Sequence, residues 1–180
     1  DSANLALSSA IVTTNGVNIQ NIETINISAT GINSLTKFDS DATKLVVTST
    51  GALLNLGTLT EAGGGASLVT TIDASASTGA VRADNSSAAA AVETITGGAG
   101  NDTYTTKFAN LTKDDKINLA GGTDILEFKD AVALTTAVQA AALGGVTNVE
   151  TLAVTGGAFA FAVNGDEVAQ TTFVHDSTGA

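Results

Sequence analysis

Residues 97–105 read GGAGNDTYT and fill every fixed position of the nonapeptide G-G-x-G-x-D-x-U-x, with Gly97, Gly98, Gly100, Asp102 and the large apolar Tyr104 in place. Glycines let a tight turn aim its carbonyl oxygens at one point. Asp adds a hard anionic oxygen, and Tyr104 anchors the next strand inward. Hard oxygens select Ca2+, and one turn cannot supply the roughly six to eight that Ca2+ takes, so a second turn must stack on the first. Residues 120–126, AGGTDIL, repeat the logic in shortened form with Gly121, Gly122, Asp124 and Leu126, and Asp124 follows Asp102 by 22 residues. The bland alternative is a Gly-rich turn carrying a solvated Asp.

Other candidates for chemistry are weaker. His175, the only His, adjoins Asp176, but the chain has no G-x-S-x-G elbow, and a solvated His near the end is the expectation. Asp114-Asp115 and Asp166-Glu167 could form a carboxylate dyad or add Ca2+ ligands, with a minor metal role allowed for Asp114 or Asp115, but neighbouring acids in polar surroundings read as solvated loops. Gly63 to Gly65 precede no Lys-Ser/Thr and so form no phosphate loop. Sequons at Asn26, Asn85, Asn101 and Asn110 reflect an Asn- and Thr-rich composition. No catalytic set emerges, and an enzyme is not expected.

Elements that would position the two turns come from a repeat. NIET at 21–24, AVET at 91–94 and NVET at 148–151 each run into Ile or Leu, so Glu23, Glu93 and Glu150 are expected to share one structural position. Six segments follow one form: INISATG from 25, LVVTSTG from 45, IDASASTG from 72, ITGGAG from 95, INLAGG from 117 and LAVTGG from 152. Alternation such as Ile25/Ile27, Leu45/Val47, Ile72/Ala74, Ile117/Leu119 and Leu152/Val154 has the period of two of a half-buried strand. A second apolar stretch follows each Gly: Ile32/Leu35, Leu53/Leu54/Leu56, Val81, Tyr104, Leu126/Phe128 and Phe159/Phe161. Each unit is thus strand, Gly turn, strand, and Ile25, Ile72, Ile117 and Leu152 are expected in one inward column.

Successive units start 20, 27, 23, 22 and 35 residues apart, the pitch of a solenoid coil with extra residues at the end. The expected fold is all-β, a parallel β-solenoid, right-handed by the crossover rule. A short lateral helix is expected near 131–143, because Leu134, Ala137, Val138 and Ala141 have helical spacing, Asp130 is placed to cap the start and Gly144 the end. An antiparallel β-sandwich is the alternative. Residues 1–20 are expected to form a hairpin or cap coil, with Asn15-Gly16 as a hairpin signal. Residues 21–164 form the repetitive body with Ca2+-binding turns near 97–124, and 165–180 a C-terminal strand or frayed end.

Composition narrows the function. With 7 Lys+Arg against 18 Asp+Glu in 180 residues, the net charge is −11, which suits neither nucleic acid nor an anionic membrane surface. Hydrophobic residues at 43% exclude disorder, while aromatics at 4% suit thin layers better than one thick core. Zero Cys removes disulfides and thiol chemistry, and zero Met leads us to expect a piece of a longer chain. No stretch approaches the length of a transmembrane helix, and the basic start of a secretory signal is missing.

The nonapeptide resembles those of repeats-in-toxin (RTX) proteins. The Ala/Thr-rich β units, the NVET phrase, the acidity and the absence of Cys are similar to bacterial surface-layer (S-layer) members exported by type I secretion. The chain departs from the RTX pattern in carrying one full repeat and one shortened one. The resemblance implies Gly97, Gly98, Gly100, Asn101, Asp102, Gly122 and Asp124 as Ca2+ ligands or turn formers. It also implies a secreted, non-enzymatic segment at the bacterial cell surface that assembles with itself into a lattice, with lipopolysaccharide as a partner through parts outside these residues. Two alternatives stay open: an RTX adhesin module binding a cell surface or glycan, and the translocation domain of an RTX protease or lipase.

Overall fold

The computed structural model describes residues 1–8, 11–13, 16–134, 141–156, 159–161 and 172–175. The chain is an all-β parallel solenoid of about six turns with almost no helix. The first coil comprises β1 (Ser2–Leu7), β2 (Ile11–Thr13) and β3 (Val17–Ile19), and the second β4 (Thr24–Ala29), β5 (Ile32–Leu35) and β6 (Lys37–Ser40). Four two-strand coils follow: β7 (Lys44–Ser49) with β8 (Leu53–Thr60), β9 (Thr71–Asp73) with β10 (Ala80–Asp84), β11 (Thr94–Thr96) with β12 (Thr103–Thr106), and β13 (Lys116–Asn118) with β14 (Ile125–Phe128). Beyond them lie β15 (Val132–Leu134), β16 (Val146–Thr147), β17 (Thr151–Val154), β18 (Phe159–Phe161) and β19 (Thr172–His175).

First strands of the coils build a seven-stranded parallel sheet, β1-β4-β7-β9-β11-β13-β16, and second strands a ten-stranded one, β19-β17-β14-β12-β10-β8-β5-β2, which β3 and β6 extend alongside. β2 and β3 pair not with each other but with β5 and β6, both in parallel. Asn15 of the expected hairpin turn lies outside the described residues.

The two sheets face each other across a thin aliphatic core, as the period-two pattern requires. Ile25, Leu45, Ile72, Ile95, Ile117 and Val146 stack in register down the first sheet. All are buried. Leu152, expected in that column, instead follows Tyr104 and Leu126 down the second sheet. Val146 of the two-residue β16 takes the inward place beside Ile117, and the strand after NVET belongs to the other layer. Phe159 and Phe161, read as the second strand of that unit, lie on β18, which pairs with β15 in a separate two-stranded sheet.

The lateral helix expected near 131–143 is corrected at its start. Val132–Leu134 is strand, whereas 141–142 are α-helical and run into a 3-10 turn at Leu143–Gly145 that contains Gly144. Residues 135–140 lie outside the described residues. Asp130, read as the cap of that helix, instead accepts the backbone N–H groups of Phe108 (2.6 Å) and Ala109 (3.0 Å), which open a 3-10 turn at Phe108–Asn110 one coil earlier.

The Gly that ends most units has a steric cause. A Cβ on Gly100 would lie 2.4 Å from the Gly79 carbonyl carbon, and one on Gly122 would lie 2.3 Å from the Gly100 carbonyl oxygen. Successive coils therefore touch backbone to backbone at this corner, and only Gly leaves room for the contact.

Candidate functional site: a ladder of carboxylates at the coil corners

In a parallel sheet each N–H within a strand finds a carbonyl on the next coil, but where the chain turns between sheets the register breaks and buried N–H groups need another acceptor. Acids supply it. Asp102, Asp124 and Glu150 each stand one residue before a strand of the second sheet, at β12, β14 and β17, and each reaches back one coil. Asp102 Oδ1 accepts Val81 N–H, Asp124 Oδ1 accepts Asp102 N–H, and Glu150 Oε2 accepts Asp124 N–H, all at 2.7 Å. Asp102 Oδ2 also takes Gly98 N–H at 2.7 Å, closing its own turn. Each is a charge-assisted bond, of the kind that contributes roughly 1.5–3 kcal/mol.

The two Gly-Asp turns therefore do stack at one corner. Gly121 N–H reaches Gly98 O at 2.9 Å, Ile125 N–H reaches Asp102 O at 3.0 Å, and Thr123 N–H reaches Asn101 Oδ1 at 3.0 Å. The carboxylates, however, point inward: Asp102 is 3% exposed and Asp124 is fully buried. Burial pushes the Asp102 carboxyl up against the pull of the N–H groups of Gly98 and Val81. It pushes Asp124 up to about 6, with the Asp102 N–H opposing and the charges of Asp102 and Glu150 adding to the rise.

In this arrangement most of these oxygens are engaged by the protein itself. Three of the four carboxylate oxygens of Asp102 and Asp124 already hold N–H groups, and the Gly98 carbonyl is taken by Gly121. Of these four carboxylate oxygens only Asp124 Oδ2 is buried without a hydrogen-bond partner. Gly97, Gly98, Gly100 and Gly122 are explained by packing: a Cβ on Gly97 would lie 2.3 Å from Leu119 O, and one on Gly98 would lie 2.3 Å from Ser77 O.

A second acidic site, which sequence reasoning missed, lies at the opposite corner. Asn85 is fully buried, and its side-chain Nδ2, with two hydrogens to donate, lies within hydrogen-bond reach of Val69 O (3.0 Å), Glu93 Oε1 (2.8 Å) and Tyr104 Oη (3.2 Å). Asp115 closes the cluster, taking Glu93 N–H on Oδ1 (2.5 Å) and Thr112 N–H on Oδ2 (2.5 Å). Burial raises Glu93 to about 7, hydrogen bonds from Tyr104 and Asn85 pull the other way, and the Asp115 charge adds to the rise. Tyr104 is pushed well above its ordinary range, first by burial and then by the Glu93 charge. The sequence signals were the Asp114-Asp115 pair, whose reading as a solvated loop fails for the buried Asp115, and the acid in the recurring phrase, whose three copies the structure divides. Glu23 is exposed and meets the N-terminal amine, Glu93 is buried, and Glu150 occupies the other corner, equivalent to Asp124.

Of the remaining candidates, Asp114 is exposed beside Lys113 at 2.6 Å, and the lysine's hydrogen bond holds its carboxyl low. His175 ends β19, while Asp166, Glu167 and Asp176 lie outside the described residues. Among the described residues no three His, Cys, Asp or Glu side chains converge as a metal-holding group, and no helix is long and apolar enough to cross a membrane. Comparison with protein-family models, with curated proteins and with solved structures gives no match for this chain.

Proposed function

We propose that this chain is a structural, non-enzymatic segment of a secreted bacterial surface-layer protein of RTX type, and that it works by assembling with its own copies. The observation that supports this most is the uninterrupted stacking: one parallel sheet runs through seven strands, with buried carboxylates joining coil to coil at the corners. Such a rod presents parallel strands at a regular spacing along the first sheet. A contact made once between neighbouring copies can then recur along the shared length.

Charge sets the condition for assembly. At −11 the copies repel, and edge-to-edge packing requires acids to be neutralised or bridged. Ca2+ does both when it lies between exposed carboxylates of two copies, such as Glu23 and Asp114, whose side chains are 64% and 61% exposed. Monovalent salt screens charge but bridges nothing. The test is electron microscopy of the protein in millimolar Ca2+: ordered sheets should form, dissolve on chelation and fail to return in NaCl of equal ionic strength. Sheets that survive chelation would contradict the ionic mechanism, and a protein monomeric in every condition would contradict assembly.

A further inference from the structure

The outward face of the second sheet carries a groove of about 440 Å3, within the size range of small-ligand sites, that assembly does not require. A bulge shapes its floor. β8 holds one residue more than β10 across this stretch, so that Asn55 faces Arg82 while Thr58 faces Asp84. Gly57 absorbs the extra residue at φ 67°, and a Cβ there would lie 2.5 Å from the Thr36 carbonyl. Asn55 Oδ1 fixes the bend by accepting Gly57 N–H at 2.9 Å. Bulges of this kind re-aim side chains and concentrate beside functional sites.

Two polar rows cross the groove in register: Ser34, Asn55, Arg82 and Thr103, and beside it Thr58, Asp84, Thr105 and Glu127. The second row is already satisfied. Asp84 meets Lys129 Nζ at 2.6 Å and Thr58 Oγ1 at 3.2 Å, and Glu127 accepts the hydroxyls of Thr105 (2.8 Å) and Thr155 (2.7 Å). Arg82 is exposed and makes no ion pair among the described residues. Its guanidinium is a planar fork of donors that fits a carboxylate bidentately. Polar side chains recur with the strand spacing of roughly 4.8 Å along the rod, which suits a linear ligand bearing hydroxyls at regular intervals.

We propose that this groove binds a carboxylated oligosaccharide along the rod axis, its carboxylate on Arg82 and its hydroxyls on Asn55 and Thr103 of the same row. The test is calorimetric titration of the full chain, in chelator to keep copies apart, with a linear uronic-acid oligomer. Its fully methyl-esterified counterpart serves as the neutral probe. Saturable binding to the uronate is expected, weakened at least tenfold by esterification and by Arg82→Gln, and unchanged by Lys113→Gln. Equal affinity for both oligomers would overturn the proposal even if the Arg82 variant failed to fold. So would absence of binding, equal affinity in Arg82→Gln, or an equal loss in Lys113→Gln, which would reduce the effect to general charge.

Discussion

Asp124 and Glu93 are both acids buried at coil corners, yet they meet opposite partners. Asp124 and its neighbours Asp102 and Glu150 face backbone N–H groups, so each carboxylate links one coil to the next and is useful as an anion. Glu93 faces side chains, the Asn85 amide and the Tyr104 hydroxyl, with the Asp115 carboxylate close by, and burial brings its proton affinity near neutrality. The difference teaches that an acid beside a Gly-rich turn in a solenoid has a structural use before it has a metal. Corner N–H groups need acceptors whether or not Ca2+ is present.

The largest effect should come from breaking the ladder at its centre. Asp102→Ala leaves the buried N–H groups of Val81 and Gly98 without their acceptor and should cost about 3–5 kcal/mol in a denaturant titration. Asp102→Asn keeps one acceptor oxygen and should cost less. Equal costs would mean that the N–H contacts carry little of the energy.

Ile117→Ala, in the middle of the first-sheet column and fully buried, should cost about 2–5 kcal/mol. Leu152→Ala should fall in the same range although it sits in the other sheet. A Leu152 cost no larger than that of an exposed Thr→Ala control would undo its placement beside Leu126.

The Glu93 cluster should reveal itself through pH. Its folded pKa of about 7 stands above the ordinary 4.5, so the folded state binds the proton more tightly. The resulting stability is fully present below about pH 4.5 and is lost as pH rises through 7, a change of about 3 kcal/mol. Glu93→Gln removes the titration, so the difference between the two stability profiles should follow that course. Parallel profiles would contradict the buried placement. Smallest of all, Lys129→Ala should cost less than about 1 kcal/mol, since the lysine side chain is 44% exposed and Asp84 keeps its bond from Thr58. Chemical denaturation of that variant checks it, and a larger loss would make the groove's ion pair part of the framework.

Much of this was legible in the sequence because period-two alternation and coil spacing are properties of local residue choice. Ile25, Ile72 and Ile117 stack where alternation places them, and the turns at Asp102 and Asp124 share a corner as their spacing predicts. Leu152 was misplaced because NVET looks alike at both corners, and only the path of the intervening chain decides which sheet follows. The inward aim of Asp102 was not legible either, since a Gly-Asp turn reads the same whether its carboxylate meets a cation or an N–H. Asn85 offered only a sequon, and nothing local shows that it sits beside Glu93 and Tyr104 in the interior.

The central claim is that the carboxylates of the Gly-Asp turns hold the coils together by themselves, while Ca2+ acts between copies. Far-UV circular dichroism of the dilute chain in chelator, followed by Ca2+ titration, tests it most directly. The account predicts a β spectrum and cooperative melting in chelator, with a melting midpoint that Ca2+ leaves unchanged until copies associate. A chain unfolded in chelator that gains its β structure only on adding Ca2+, at concentrations where it stays monomeric, would place the ion inside the turns and contradict the account.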